Sequence, residues 1–285
     1  MSNPLLGVTA VVTVSYNSST ELRSFLDSVR RSEEAALTVV VADNRSADLE
    51  STTEIAAQFG ARLLALPENR GYGGAINAAI ASLPAEFEYV LISNPDVELQ
   101  PGATSALLSE ISQDGTIGAI GPRVLNADGS TYPSARRLPS LRTGVGHALL
   151  SGVWPGNPWS RSYRAESATP EARRFVGWLS GSCLLVRRTA FDELNGFDEG
   201  YFMYFEDVDL GYRLNKAGWS SLYAPQASVI HTGAHSTSAD SGAMVRVHHQ
   251  SAYRYLEKKY TGPMLAPLRW VLRLGLAARA RLTTR

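Results

Sequence analysis

The chain has one cysteine, Cys183, among 285 residues, which excludes an intrachain disulfide and fits a reducing compartment. Cys183 lies in the apolar run 182–186, so it is expected to be a core thiol rather than a nucleophile. No apolar stretch approaches the roughly 20 residues that a bilayer-spanning helix needs. No charged region precedes the apolar run at 8–14, so no signal peptide is expected either. Charge of one sign is not in excess: 27 basic residues balance 27 acidic ones, and nothing in the total calls for nucleic acid. Glycine is missing from Ser15-Tyr16-Asn17-Ser18, where the first apolar run ends, so the dinucleotide fingerprint of dehydrogenases is not met. No internal repeat is found.

What is present is an alternation of short apolar runs with helical spacing. Runs at 8–14, 37–42, 61–66 and 89–93 predict strands. Between them, Leu22, Phe25, Leu26 and Val29, then the segment to about 59, then Ile76, Ile80 and Leu83 predict helices. This order implies a parallel sheet with right-handed crossovers, an α/β fold. A further helix carries Leu107, Leu108 and Ile111, and a further strand is expected at 117–121. Residues 126–174 are rich in Gly, Pro, Ser and Arg and read as a long excursion. Strand character returns at 181–187, a helix is expected at 208–217, short strands at 221–223 and 227–231, and helices at 248–259 and beyond Pro263.

The strongest chemical signal is Asn94-Pro95-Asp96. Pro95 cannot continue the strand before it, which leaves Asp96 just past the strand's carboxyl end, where open α/β sheets bind ligands. A carboxylate there suits a divalent cation held against a diphosphate. Asp43 ends the second strand in the same way, and is expected to accept from a ribose or a base N–H, unless it only caps a helix. Asn69-Arg70-Gly71 opens a helix, where free amides and a guanidinium are expected to meet phosphate. Glu206, Asp207 and Asp209 follow an aromatic run, and acids so close together raise one another's pKa, which prepares a carboxylate to take a proton from a hydroxyl. Asp207 as a plain helix cap is the competing expectation. His231 ends a short strand and is a candidate metal ligand, with His235 a weaker one.

Together these residues resemble a known family. Val11 to Ser18, Asp43-Asn44-x-Ser46, Asn69-Arg70-Gly71-x-Gly73-x-x-x-Asn77, Asn94-Pro95-Asp96-Val97, Gly196-Phe197-Asp198-Glu199 and Glu206-Asp207-x-Asp209 are similar in order and spacing to inverting glycosyltransferases of family two. The resemblance implies a GT-A fold: a Rossmann-like, mostly parallel sheet for the nucleotide sugar (1–125), an acceptor and catalytic half (126–235), and a basic helical tail (236–285). It implies Mg²⁺ or Mn²⁺ on Asp96, although Asn94 replaces the first acid of the usual Asp-x-Asp. It implies Asp207 as base with Glu206 as the alternate. It also implies a donor pocket from Ser15, Tyr16, Asn17, Asp43, Asn69, Arg70, Asn94 and Asp96, and an acceptor side from Trp178, Gly181, Ser182 and Asp209.

The Asn-Pro-Asp-Val variant, Trp178 to Gly181 and the run 202–210 look like bacterial cell-wall rhamnosyltransferases. That likeness implies dTDP-β-L-rhamnose as donor and a polyprenyl-diphosphate-linked N-acetylglucosamine as acceptor. Another nucleotide sugar for O-antigen or exopolysaccharide is the alternative. From other classes, a sugar nucleotidylyltransferase and a non-catalytic binding module remain, the first lacking its glycine-rich loop after strand one. Arg136, Arg137 and Arg142 are expected either to meet the acceptor's diphosphate or to be solvated. Residues 261–285 hold five Arg and no acid. With Trp270, Leu272, Leu274 and Leu276 interleaved, this tail is expected on the inner face of the plasma membrane or against a second subunit.

Overall fold

The computed structural model describes residues 3–33, 35–140, 171–233 and 241–283. A 3-10 turn at Pro4–Val8 leads into β1 (Thr9–Ser15), α1 (Ser19–Ser32), β2 (Thr38–Asp43), α2 (Leu49–Gln58), β3 (Arg62–Ala65), α3 (Gly71–Ala81) and β4 (Tyr89–Ser93). These four strands run parallel in the order β3-β2-β1-β4. Successive strand side chains point to opposite faces. Val11, Val41 and Leu91 therefore join the core under Leu22, Phe25 and Val29 of α1, while Val12, Val40 and Ile92 join the core under Ile76 and Ile80 of α3. A sheet covered on both faces needs apolar residues on both, which is why β1 is buried along its whole length.

The chain continues through β5 (Val97–Leu99), α4 (Ala103–Gln113), β6 (Ile117–Asn126), β7 (Thr131–Tyr132) and β8 (Ala135–Arg136). After the undescribed stretch come β9 (Arg174–Val176), β10 (Trp178–Leu179), β11 (Cys183–Arg187), α5 (Arg188–Glu193), α6 (Glu206–Lys216), β12 (Ser220–His231), α7 (Ser241–Lys259) and α8 (Ala266–Thr283). The main sheet has the path β3-β2-β1-β4-β11-β6-β12-β5. β11 lies antiparallel between β4 and β6, and β5 antiparallel on β12, so the sheet is mixed while most of its path strands share one direction. The sequence division at residue 125 falls within β6, so both halves share one sheet.

The two short strands expected at 221–223 and 227–231 are one strand, β12, whose register on β6 shifts between Ala224 and Ser228. Pro225 lies in that shift; it has no amide to give to the ladder, so the strand bulges past it and resumes. Beyond the bulge His231 pairs with Val97 of β5. That register is what carries His231 to the Asp96 turn. Arg142 and His235 lie outside the described residues, as do the side chains of Leu276, Arg279 and Arg281.

Candidate active site

Asp96 follows the end of β4 and is 5% exposed. Its carbonyl accepts from the amide and the hydroxyl of Thr232, both at 3.1 Å. Its carboxylate is different: neither oxygen has a hydrogen-bond partner, and Oδ2 stands 3.1 Å from His231 Nε2, which is also buried and unbonded. Two buried acceptors and an imidazole nitrogen that face one another without an aligned hydrogen bond have the form of a cation site. The donor set of one carboxylate and one imidazole suits Mg²⁺ or Mn²⁺. Among the described residues no group of three or more His, Cys, Asp or Glu gathers, so a cation here would take its other ligands from diphosphate oxygens and water. Asn94, half-buried in the same turn, gives its amide to the Ser182 carbonyl at 2.9 Å and ties the turn to the start of β11.

At the ends of β1 and β2 the expected donor residues divide. Asp43 is fully buried; Oδ1 accepts from the Ser46 amide at 2.9 Å, while Oδ2 has no partner and remains an acceptor for a ligand N–H or hydroxyl. It caps no helix, since α2 begins at Leu49. Tyr16 is 45% exposed. Ser15 and Asn17 both make hydrogen bonds within the chain, Ser15 buried and Asn17 exposed. Ser15 is buried with its hydroxyl against Ser18 at 3.3 Å, and Asn17 Oδ1 accepts from the Ala47 amide at 2.7 Å. They join the two loops because β1 and β2 pair to their last residues.

At the expected phosphate site, Asn69-Arg70-Gly71, the backbone amides and the guanidinium have partners within the chain. Asn44 Oδ1 takes the Arg70 amide at 2.9 Å, Asn69 Oδ1 takes the Gly71 amide at 3.0 Å, and the Phe202 carbonyl takes the Tyr72 amide at 3.2 Å. The guanidinium of Arg70 pairs with Glu199 at 2.7 Å. The loop 196–205 folds onto this helix start and takes the Tyr72 amide and the Arg70 guanidinium, while Asn44 and Asn69 hold the other two amides. Gly71 has φ +71°, and a Cβ there would run into the Phe202 carbonyl. Asn77 completes the docking, taking the Phe197 amide and giving to the Phe197 carbonyl, both at 2.9 Å.

That loop ends in Tyr204 and Phe205, both at φ +67°, directly before α6. Consecutive left-handed non-glycine residues cost of the order of 1–3 kcal/mol each and persist only where the surroundings enforce them. They deliver Glu206 and Asp207 to the first turn of α6. Asp207 Oδ2 accepts from the Gly181 amide at 2.9 Å and Oδ1 from the Val208 amide at 2.8 Å, so it is not the helix cap; Phe205 holds that position. Burial raises the pKa of both acids, and the charge of Asp207 raises Glu206 further. Two N–H donors favour the ionised form of Asp207, whereas Glu206 Oε2 is buried with no partner. Of the pair, Asp207 is therefore the carboxylate and Glu206 holds the proton.

Asp209 does not face this cleft. Two residues along a helix turn by about 200°, and Asp209 points inward, fully buried, to Arg213 at 2.6 Å and Lys258 at 2.8 Å. Trp178 gives its ring N–H to the Arg137 carbonyl at 3.1 Å and packs against Gly211. Ser182 is buried with its hydroxyl on Ser180 at 3.1 Å. Of the expected acceptor residues, only Gly181 touches Asp207. Tyr72, which sequence reasoning passed over, gives its hydroxyl to the Gly181 carbonyl at 2.7 Å. Burial, with neighbouring acids adding to it, holds its pKa well up. The one sequence cue to Tyr72 is a bulky aromatic set among glycines at a helix start. Cys183 is in the core as expected, with burial pushing the thiol up to about 12.

A sheet whose strand ends carry Asp43 and Asp96, joined to a second half that carries the acid pair Glu206–Asp207, has the form of a GT-A glycosyltransferase, and the chain belongs to glycosyl transferase family 2. The sequence model of that family matches residues 10–194, and that of glycosyl transferase family group 2 matches residues 163–280. Among individual relatives, the chain is 46% identical to an N-acetylglucosaminyl-diphospho-decaprenol L-rhamnosyltransferase of Mycobacterium tuberculosis, over 98% of this chain and 93% of that one. It is 29% identical to the rhamnosyltransferase WbbL of Escherichia coli, over 66% of this chain and 71% of the relative. Among solved structures it is similar to a Pyrobaculum calidifontis mannosyltransferase in complex with GDP-Man and Mn²⁺. That likeness has a TM-score of 0.60 at 16% identity and covers 95% of this chain and 73% of the other.

Proposed function

We propose that this glycosyltransferase transfers L-rhamnose from dTDP-β-L-rhamnose, with inversion, to a polyprenyl-diphosphate-linked N-acetylglucosamine in bacterial cell-wall synthesis. The observation that carries the chemistry is the carboxylate of Asp207, held by two amides beside Glu206, one of them from Gly181, next to the Ser182 carbonyl that takes the Asn94 amide of the Asp96 turn. The sugar and acceptor rest on the near full-length likeness to the mycobacterial enzyme.

Asp207 takes the proton of the acceptor hydroxyl as its oxygen forms the new bond to the anomeric carbon. The bond from that carbon to the diphosphate breaks on the opposite face, and dTDP leaves with the electron pair. One displacement inverts the centre. Asp96 and His231 would hold the Mg²⁺ or Mn²⁺, whose charge stabilises the departing diphosphate. Asp43 offers its free Oδ2 to the nucleotide, and Tyr16 stands exposed beside it to cover the base. Glu206, kept neutral, leaves Asp207 as the anion nearest the acceptor. Residues 1–125 serve the donor, 126–235 the acceptor, and the tail from 236 places the enzyme at the cytoplasmic membrane face where its lipid acceptor lies.

Purified protein incubated with a polyprenyl-diphosphate N-acetylglucosamine and, separately, dTDP-rhamnose, UDP- and GDP-sugars is expected to form product with the first donor, lose activity in EDTA and regain it with Mn²⁺ or Mg²⁺. Product from a UDP- or GDP-sugar and none from dTDP-rhamnose would overturn the donor assignment. Undiminished activity in EDTA would remove the cation from Asp96 and His231.

A further inference from the structure

Arg136 stands beside the catalytic carboxylate with its charge uncommitted. It lies on β8, which pairs with β10 so that Arg136 opposes Trp178 and Ala135 opposes Leu179. Directly opposed residues of an antiparallel pair project to the same face. Ala135 and Leu179 go down into the core under the sheet, while Trp178 goes the other way, against Gly211 and Val208 of α6. Arg136 therefore lies on the α6 side of the ribbon. Two residues beyond Leu179 the same ribbon gives the Gly181 amide to Asp207.

The stem of Arg136 is fixed by its Nε, which donates to the Pro133 carbonyl at 2.9 Å. Its two terminal nitrogens have no partner among the described residues. Other cations of this region are occupied: Arg70 by Glu199, Arg213 and Lys258 by Asp209, Arg254 by Asp198. Arg137 has a partner of its own. Across the ribbon from Trp178, three residues before the Gly181 that holds Asp207, Arg136 makes no ion pair with that carboxylate among the described residues, and its charge favours the ionised form. Near but not touching is the separation the acceptor requires. Its attacking hydroxyl and its anomeric diphosphate are carried on one pyranose ring, so a group that grips the diphosphate must stand about a ring's width from the base.

We propose that Arg136 is the anchor for the acceptor's diphosphate, its fork of terminal N–H groups closing on the phosphate oxygens when the sugar hydroxyl meets Asp207. A planar guanidinium meets phosphate through two parallel N–H donors, which a lysine cannot do. The inference rests on the acceptor chemistry given under the proposed function. It places the lipid-linked phosphates over the β8–β10 ribbon and the nucleotide phosphates at Asp96, so the two diphosphates of the reaction have separate cationic partners.

The test is a binding titration that needs no turnover. Geranylgeranyl diphosphate and dTDP are titrated separately into the wild-type protein, R136Q and R136K, in EDTA so that no cation sits on Asp96 and His231. The expected result is that R136Q binds the lipid diphosphate at least about tenfold more weakly, as loss of a charge-assisted contact requires, that R136K recovers part of it, and that dTDP affinity does not move. Equal lipid-diphosphate affinity in wild type and R136Q, or no binding by the wild type, overturns the proposal. A parallel loss for dTDP overturns it too, by placing Arg136 on the donor side. If the protein proves to use another donor sugar, these titrations still decide what Arg136 holds.

Discussion

At the scale of single residues, the pair Glu206–Asp207 shows how environment assigns roles to neighbouring acids. Both are buried, but only Asp207 has amides on its carboxylate. Replacing Asp207 with Asn should lower kcat by about 10²–10⁴-fold, the usual worth of a positioned base, with dTDP binding retained; full activity would remove Asp207 from that role. The pKa values of both acids lie above the ordinary carboxylate range, so the acid limb of the kcat/KM profile should lie there too. In Glu206→Gln that limb should stay close to its wild-type position, because Glu206 is already neutral when Asp207 titrates. Stability carries the same sign. Above the unfolded pKa values the native state holds protons that the unfolded chain has released, so stability falls as pH rises through the raised values. Melting curves across pH should show a shallower fall in Glu206→Gln. Gly71 is a backbone case: Gly71→Ala meets both φ +71° and the Phe202 carbonyl, and should cost upward of ~2 kcal/mol in denaturant titration.

At the scale of elements, α7 is the brace of the turn that carries Glu206 and Asp207. Ser251 gives its hydroxyl to the Met203 carbonyl at 2.8 Å, Arg254 and Lys258 pair with Asp198 at 2.9 and 2.6 Å, and Lys258 also reaches Asp209. His248 sets its ring edge-on to Tyr204 and Phe205. These contacts hold the two left-handed residues that aim α6, so a helix remote in sequence maintains the geometry of the base. Asp209→Asn weakens the ion pairs of a fully buried carboxylate and should cost ~3 kcal/mol, with kcat falling more than the KM for donor. A loss confined to stability would separate the brace from catalysis. The elements themselves were largely legible: the β1 to β4 alternation is written in apolar runs and helical spacing. β5 and the continuity of β12 were not, since three residues after a proline turn and a strand interrupted by Pro225 have no periodicity of their own.

At the scale of the whole molecule, α8 packs on α7 and leaves Met264, Trp270, Val271 and Leu274 exposed, Trp270 by 65%. Arg269 holds the carbonyls of Tyr260 and Gly262, and Arg273 stacks over Tyr253. No described helix is long and apolar enough to cross a membrane. An exposed apolar strip on a segment with five Arg and no acid suits an anionic bilayer surface, at about 1 kcal/mol for each basic residue near it. Deletion from Pro263 onward should abolish flotation with anionic vesicles, and added salt should weaken flotation of the full chain. Unchanged flotation after deletion would assign the strip to a second subunit or to no partner.

The sequence by itself determined the α/β class, the strand ends that carry Asp43 and Asp96, the buried thiol and the acid cluster at 206–209, because strand period, proline chemistry and charge density act locally. Only the tertiary structure decided where each of those acids points. Asp207 and Asp209 are alike in sequence, and helix geometry sends one to the cleft and the other to Lys258. The Arg70 guanidinium looks free until Glu199 of the loop 196–205 folds over it. His231 meets Asp96 only because β12 pairs with β5, and Tyr72 joins the two halves only because Gly181 comes to it. Pairings across so many intervening residues are set by packing and register, which no local pattern records.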